Sequence, residues 1–138
     1  RLHFSPTLLS STQQTSDVII KALFEEFRDI RYVALYLDDE LVFQQRNTTE
    51  NTSSRETDTY EELLVNPTLL KLASQRGNID CGGLNHLIVG YGNFHQLVKA
   101  IPKGHISICL EKHVDLNQLP AQIFEFLKTR FEDALFKA

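Results

Sequence analysis

The chain has 138 residues, of which 42% are hydrophobic and 23% are charged, so it can form one domain around a single core. Its net charge of −4, without a long basic block, argues against nucleic acid or an anionic membrane as the main partner. Two cysteines are too few for a disulfide scaffold, and no apolar run could span a membrane, so we expect a cytoplasmic protein.

The beginning of the chain combines a polar tail with one amphipathic helix. Residues 1–15 lack an apolar pattern, and Ser16-Asp17 suits the cap of a helix. Apolar residues then recur at i, i+3, i+4 and i+7, namely Ile20, Leu23, Phe24 and Phe27. This spacing predicts a first helix over 16–29 with one buried face, and a single domain over 16–138.

A hairpin and a polar loop are predicted next. Residues 32–37 and 41–43 are rich in aromatic and branched side chains, and the acidic cluster Asp38-Asp39-Glu40 separates them. Two strands joined by a tight turn fit this pattern best. Residues 46–58 include no apolar side chain, so we expect a flexible loop there.

The segment 59–78 has a helical pattern with an interruption at Asn66-Pro67. Proline lacks an N–H donor and disfavours helical backbone at the residue before it, so a break is expected at that position. Thr59 and Glu62 have the spacing of a capping box, which would begin the first turn. The main helix is predicted over 67–76, ending at Gly77-Asn78.

Residues 81–101, CGGLNHLIVGYGNFHQLVKAI, contain a possible phosphate-binding loop. The motif Gly-x-Gly-x-x-Gly would begin at Gly90, but His95 occupies the third glycine position and the residues after it are strand-like. A hairpin is therefore favoured, with Gly92-Asn93 at its tip because both residue types accept positive φ. Its register places Gly90 opposite His95 and Ile88 opposite Leu97.

This second hairpin has apolar residues on both faces, so helices must cover each face at least in part. One face is expected to carry Leu84, His86, Ile88, Gly90, His95, Leu97 and Lys99, and the other Leu87, Val89, Tyr91, Phe94, Gln96 and Val98. Three helices are too few to cover both faces, so part of the hairpin would remain for a partner.

The last elements complete an α+β fold. Pro102-Lys103-Gly104 predicts a turn, and Ile106, Ile108 and Leu110 alternate as in a half-buried strand. Residues 115–138 predict a long final helix. The expected fold is a five-stranded antiparallel sheet with helices on both faces, in the order α-β-β-α-β-β-β-α.

Catalytic and metal sites are poorly supported by the sequence. Cys81 could act as a nucleophile with His86 or His95 as its base, but its Gly-Gly context is that of an ordinary turn. The histidines at 86, 95 and 105 lack the spacing of metal ligands and are interpreted as solvated or rim residues. We therefore predict no catalytic residue, no metal ion and no cofactor.

The element order resembles that of the Roadblock / dynein-light-chain family, which includes bacterial regulators of Ras-like GTPases. The stretches that carry the resemblance are YVALYLDDELVFQQ, NPTLLKLASQRGN, LNHLIVGY, FHQLVKAI, HISICL and the final helix, over about residues 16–138. The resemblance implies that the first and last helices share one face of the sheet and that the middle helix covers the other.

The same resemblance implies a non-catalytic homodimer that pairs through its middle helix and the following strand. The implied interface residues are Leu69, Leu70, Leu72, Ala73, Leu87, Ile88 and Val89. A small Ras-like GTPase or another protein would be the partner. The alternative is a small-molecule sensor of the PAS or GAF type, which would need a cavity lined by the aromatic strands and by His86 or His95.

Overall fold

The helices and strands follow one another in the predicted order in a computed structural model, which describes residues 9–47, 49–50 and 52–138. The elements are α1 (Ser11–Glu26), β1 (Ile30–Leu37), β2 (Glu40–Gln45), α2 (Arg55–Tyr60), a π-helical turn (Glu61–Val65), α3 (Asn66–Asp80), β3 (Leu87–Gly90), β4 (His95–Ile101), β5 (Gly104–Leu110) and α4 (Leu119–Phe136). Because α2, the π turn and α3 follow without a gap, they form the single middle helix of the predicted α+β order.

The five strands form one antiparallel sheet in the order β2-β1-β5-β4-β3. The predicted register of the β3–β4 hairpin is confirmed, since Gly90 pairs with His95 and Ile88 pairs with Leu97. β3 therefore lies at the edge of the sheet, next to β4 only.

Alternation along β5 separates the two faces of the sheet. Ile106, Ile108 and Leu110 enter the main core with side chains from α1 and α4. His105 points to the opposite face, where it contacts the middle helical segment at Glu62. The first and last helices therefore share one face and the middle helix covers the other, as predicted.

The first helix begins five residues earlier than the sequence pattern predicts. Ser10 caps α1 by accepting a hydrogen bond from the backbone of Gln13, and the Gln13 side chain accepts one from the Ser10 backbone. Ser16, predicted as the cap, is buried inside the helix. The polar first turn carries no apolar stripe, so periodicity could not reveal it. Residues 1–8 of the predicted tail lie outside the described part of the chain.

The predicted loop at 46–58 is shorter than expected. Ser54 caps α2 by accepting a hydrogen bond from the Thr57 backbone, so the last four residues of the predicted loop are already helical. At its other end, the Arg46 side chain donates to the carbonyls of Phe24, Phe27 and Ile30. Thr48 and Asn51 within this stretch fall outside the described residues.

The predicted break at Asn66-Pro67 is absent, because a π-helical turn accommodates the proline. The Asn66 N–H donates to the carbonyl of Glu61, five residues earlier, which widens the helix just before Pro67. Pro67 stands in the first turn of α3, where its missing N–H is tolerated. The chain therefore stays helical through the proline.

The middle helix also ends later than predicted. Gly77 lies inside α3, where a Cβ atom would come within 3.0 Å of the backbone of Gly83. The helix continues to Asp80, and Gly82 and Gly83 then take positive φ to carry the chain toward the sheet. Gly77 thus allows the backbone of Gly83 to lie close against α3, and it does not end the helix.

Three smaller predictions about turns and ends also need correction. Gly92-Asn93 do not adopt positive φ, whereas Asp38 and Asp39, at the tip of the β1–β2 hairpin, do. β3 begins only at Leu87, and the final helix begins at 119, four residues later than predicted. In the described part of the chain, no helix has the length and apolar character that crossing a membrane requires.

Candidate functional site

A buried carboxylate joins the π turn to the sheet. Glu62 has 0% of its surface exposed. The Tyr32 hydroxyl donates to its Oε2 at 2.8 Å, and the Asn66 amide donates to its Oε1 at 2.9 Å. His105 Nε2 lies 2.8 Å from the same Oε1. Three protein partners thus replace the hydrogen bonds to water that the carboxylate loses when it is buried.

A second set of hydrogen bonds extends this polar layer along the sheet. The Ser107 hydroxyl oxygen accepts from Gln96 Nε2 at 2.7 Å and from the Asn66 amide at 3.5 Å. Gln96 on β4 and Ser107 on β5 are both buried and lie on the face that the middle helix covers. The space between this helix and the sheet is therefore partly polar, unlike the apolar core on the other face.

Two sequence predictions about these residues were wrong. Thr59 and Glu62 do not form a capping box, because α2 already begins at Arg55 and the Thr59 hydroxyl donates to the Arg55 carbonyl. His105 is 3% exposed, so it is neither solvated nor on a rim. Alternation offered a signal: if Ile106 and Ile108 face one core, His105 and Ser107 must face the other.

A cavity of about 330 Å³ opens beside this polar layer, between α2, the π turn and one end of the sheet. Its lining includes Tyr32, Asp58, Glu61, Tyr91, Phe94 and Gln96, in addition to Glu62 and Cys109. The sensor alternative placed the aromatic strands around a cavity, but no prediction named Asp58, Glu61, Glu62 or Gln96 as part of a site. The two acidic residues next to Glu62 looked like ordinary helix-surface residues in the sequence.

Burial controls the ionisation of the groups around this cavity. It raises the pKa of Asp58 and of Glu61, and the neighbouring Glu62 carboxylate raises both further. Burial and the hydrogen bond from its hydroxyl to Glu61, 3.0 Å long, raise the pKa of Tyr91 to about 12. The cavity therefore disfavours the ionised forms of Asp58 and Glu61.

We expect Asp58→Asn to stabilise the protein at pH 7. Because burial raises the Asp58 pKa, the ionised form is less stable in the folded chain than in the unfolded one, and this penalty vanishes well below the ordinary aspartate pKa of about 3.9, where both states are protonated. The variant should have a higher urea midpoint than the unmodified protein at pH 7, and the difference should shrink toward zero on acidification. Asparagine keeps the oxygen that accepts from Gln45.

The matched control for that measurement is Glu56→Gln, which removes one charge from an exposed position of α2. A lower urea midpoint for Asp58→Asn at pH 7, with the control unchanged, would contradict the expected cost of the buried charge.

The residues considered for catalysis and sensing are placed elsewhere. Cys81 is exposed and its thiol donates to the Asp80 carboxylate at 3.3 Å. His86 packs on Phe124 of α4, with ring centroids 5.6 Å apart. The sensor alternative predicted that His86 or His95 lines the ligand cavity; neither lines the 330 Å³ cavity, but His86 lines a second cavity of about 590 Å³ beside α4. In the described parts of the chain, no three His, Cys, Asp or Glu side chains could hold a metal ion.

The predicted interface residues fall into buried and accessible groups. Leu70 is 6% exposed, so it packs inside the protomer and has little surface to offer. Leu72 is 60% exposed and Ile88 37%. Leu69, Ala73, Leu87 and Val89 are half-buried.

The accessible side of the middle helical segment carries several large apolar residues among exposed polar ones such as Glu56, Lys71 and Gln75. Its large exposed apolar residues, called here the outer apolar face, are Tyr60, Leu63, Leu64, Leu72 and Ile79. The side toward the sheet carries the polar residues Asp58, Glu62 and Asn66, at intervals of four. An ordinary surface helix places most of its large apolar residues on the inner side, whereas here Leu70 packs inward and five others are exposed.

The chain has a Roadblock-like fold, as the sequence resemblance predicted. Its structure is similar to that of an MglB with a tetrameric arrangement, with a TM-score of 0.64, 8% identity, and coverage of 91% of this chain and 96% of that one. It is also similar to the gliding protein MglB from Thermus thermophilus, with a TM-score of 0.61, 12% identity, and coverage of 96% and 100%. Identities this low show the shared fold alone.

Sequence comparison gives no further relationship. No protein-family model matches the chain, and no curated protein sequence is significantly similar to it.

Proposed function

We propose that this protein is a non-catalytic regulatory or scaffold domain that works as a homodimer and binds a protein partner, a small Ras-like GTPase. The observation that carries the proposal is the outer apolar face. A helical segment that exposes several large apolar residues is suited to bury them against another chain.

The dimer would join two copies through this face and through β3. Leu72 and Ile79 are seven residues apart on α3 and therefore lie on the same side of the helix, two turns apart. β3 is an edge strand with no strand on its outer side among the described residues, and such an edge is a template for pairing with another chain. Ile88 on this strand adds apolar surface at the same edge.

The GTPase partner is suggested by the fold. The family that the sequence resembles includes bacterial regulators of Ras-like GTPases, and structural similarity to MglB supports the same type of role. In this role the chain itself needs no nucleophile or metal ion. It would present a surface that the paired protomers form together.

The dimer is tested by sedimentation equilibrium of the unmodified protein and of Leu72→Glu. A charge placed in a buried apolar contact should raise the dimer dissociation constant by at least about 100-fold. Because Leu72 is exposed, its substitution should leave the fold of the protomer intact.

The matched control is Val18→Glu, since Val18 is also an exposed apolar residue on a helix, but on the opposite side of the sheet. It should dimerise like the unmodified protein. A clean monomer of the unmodified chain at micromolar concentration would disprove the dimer.

The partner is tested by affinity capture from native cell extract in the presence of GTP or GDP, followed by mass spectrometry. A Ras-like GTPase should be captured by the unmodified protein and by Val18→Glu, and should be depleted with Leu72→Glu if the dimer forms its binding surface. Capture of no GTPase in either nucleotide state would contradict this part of the proposal.

A further inference from the structure

The cavity beside Glu62 contains hydrogen-bond acceptors that nothing in the described chain satisfies. Gln96 is 2% exposed; its Nε2 donates to Ser107, while its side-chain oxygen accepts no hydrogen bond from the described residues. One Asp58 oxygen accepts from Gln45 and one Glu61 oxygen accepts from Tyr91, which leaves the second oxygen of each without a protein donor there. These oxygens are not fully enclosed by the protein, so they are accessible to a donor in the cavity.

The surroundings of these acceptors are both acidic and aromatic. Asp58, Glu61 and Glu62 contribute carboxylates, and the rings of Tyr32, Tyr91 and Phe94 form other parts of the lining. Aromatic faces attract cations, most strongly where water is excluded. A group that donates several hydrogen bonds and carries positive charge would satisfy both features.

We propose that this cavity binds an organic cation, namely a guanidinium or primary ammonium group on a short alkyl chain. Guanidinium offers five N–H donors and an ammonium offers three, which suits several acceptors at once. The volume of about 330 Å³ lies at the lower end of the range for small-molecule sites, large enough for such a group. This site goes beyond the proposed dimer and does not depend on it.

The protein's own cations near the cavity have other partners. Arg31 pairs with Glu111 at 3.1 Å and lies over the Phe94 ring. Arg55 lies over the Phe43 ring and acts on Asp58 only through its longer-range field. His105 contacts Glu62 on the side of the buried polar layer. None of the salt bridges among the described residues includes Asp58 or Glu61.

A metal ion fits this cavity less well than an organic cation. Divalent ions need several oxygen ligands converging at short distance. No group of three acidic, histidine or cysteine side chains in the described residues converges closely enough. Acceptors spread along a lining that also includes aromatic residues match an extended N–H donor better than a point charge.

The test is a titration of the full chain with n-butylguanidinium, n-butylammonium and the neutral n-butylurea, followed by amide NMR at low salt. At least one cation should give saturable shifts in the millimolar range or tighter, concentrated at residues that line the cavity. The urea should give none of comparable affinity. No saturable shift from either cation, or equal binding of the urea, would overturn the proposal.

The matched variants are Asp58→Asn, which removes a lining charge, and Glu56→Gln, which removes an exposed charge from the same helix. Asp58→Asn should weaken cation binding by about tenfold or more, while Glu56→Gln should change it less than about twofold. Equal effects of the two variants would show nonspecific attraction and overturn the site. Glu61→Gln provides a second lining variant if Asp58→Asn folds poorly.

A final arm identifies the source of the cation by replacing n-butylguanidinium with the blocked peptide acetyl-Gly-Arg-Gly-amide. Binding of the peptide at the same residues would support an arginine side chain from a partner protein. Binding of the free cation alone would support a small-molecule ligand. Both results sustain the cation site, and the absence of both contradicts it.

Discussion

Replacing Glu62 with alanine is expected to lower the free energy of unfolding by about 3–5 kcal/mol. The carboxylate accepts from Tyr32 and Asn66 and contacts His105, and all four side chains are buried. Alanine leaves the Tyr32 hydroxyl, His105 Nε2 and the Asn66 amide without this common partner. Unpaired buried polar groups cost more than the hydrogen bonds contribute when formed.

Urea unfolding at pH 7 measures this effect, with Glu56→Ala as the control on the exposed side of α2. The control should change stability by less than about 0.5 kcal/mol. Glu62→Gln should give an intermediate loss, because its amide oxygen can still accept one of the hydrogen bonds. A loss below about 1 kcal/mol for Glu62→Ala would show that water replaces the carboxylate readily.

Gly104→Ala is expected to destabilise the protein by about 3 kcal/mol or to prevent folding. A Cβ atom at Gly104 would lie 1.7 Å from the Tyr36 carbonyl oxygen, far inside van der Waals contact. The obstacle is backbone within the β1–β5 pair, where Gly104 is opposite Leu37, so no side chain can turn aside. Relief requires the two central strands to separate locally.

The control for this change is Gly92→Ala at the tip of the β3–β4 hairpin. A Cβ atom there meets nothing within 4 Å, and the residue does not have positive φ. It should be neutral or stabilise by up to about 1 kcal/mol, because alanine restricts the unfolded chain. Equal melting temperatures for Gly104→Ala and the unmodified protein would refute the predicted clash.

The sheet could be predicted from the sequence because its signals are local. Alternation in β5 and the glycines around β3 and β4 determine which side chains share a face, and a one-residue slip would exchange the faces. The register that pairs Ile88 with Leu97 followed from placing the tip of the β3–β4 hairpin at Gly92-Asn93. The helix boundaries were less accurate, because Ser10 and Ser54 start helices whose first turns lack apolar residues.

The candidate site could not be predicted because it depends on contacts distant in sequence. Glu62 had a sufficient local explanation as part of a capping box, and only its contacts with Tyr32 and His105 show that it is buried. Pro67 also signalled a break, which the π turn removes. An inward polar stripe at 58, 62 and 66 resembles a solvated helix side unless the sheet beneath is known.

The π turn has a consequence for how this protein can change during evolution. It adds a residue to one helical turn, and deleting that residue would rotate α2 by about 100° relative to α3. Asp58 would then leave the cavity, while Leu72 and Ile79 would keep their orientation. A single insertion or deletion within Glu61–Val65 therefore offers a way to gain or lose the cavity in one branch of descent while the α3 part of the outer apolar face is inherited unchanged.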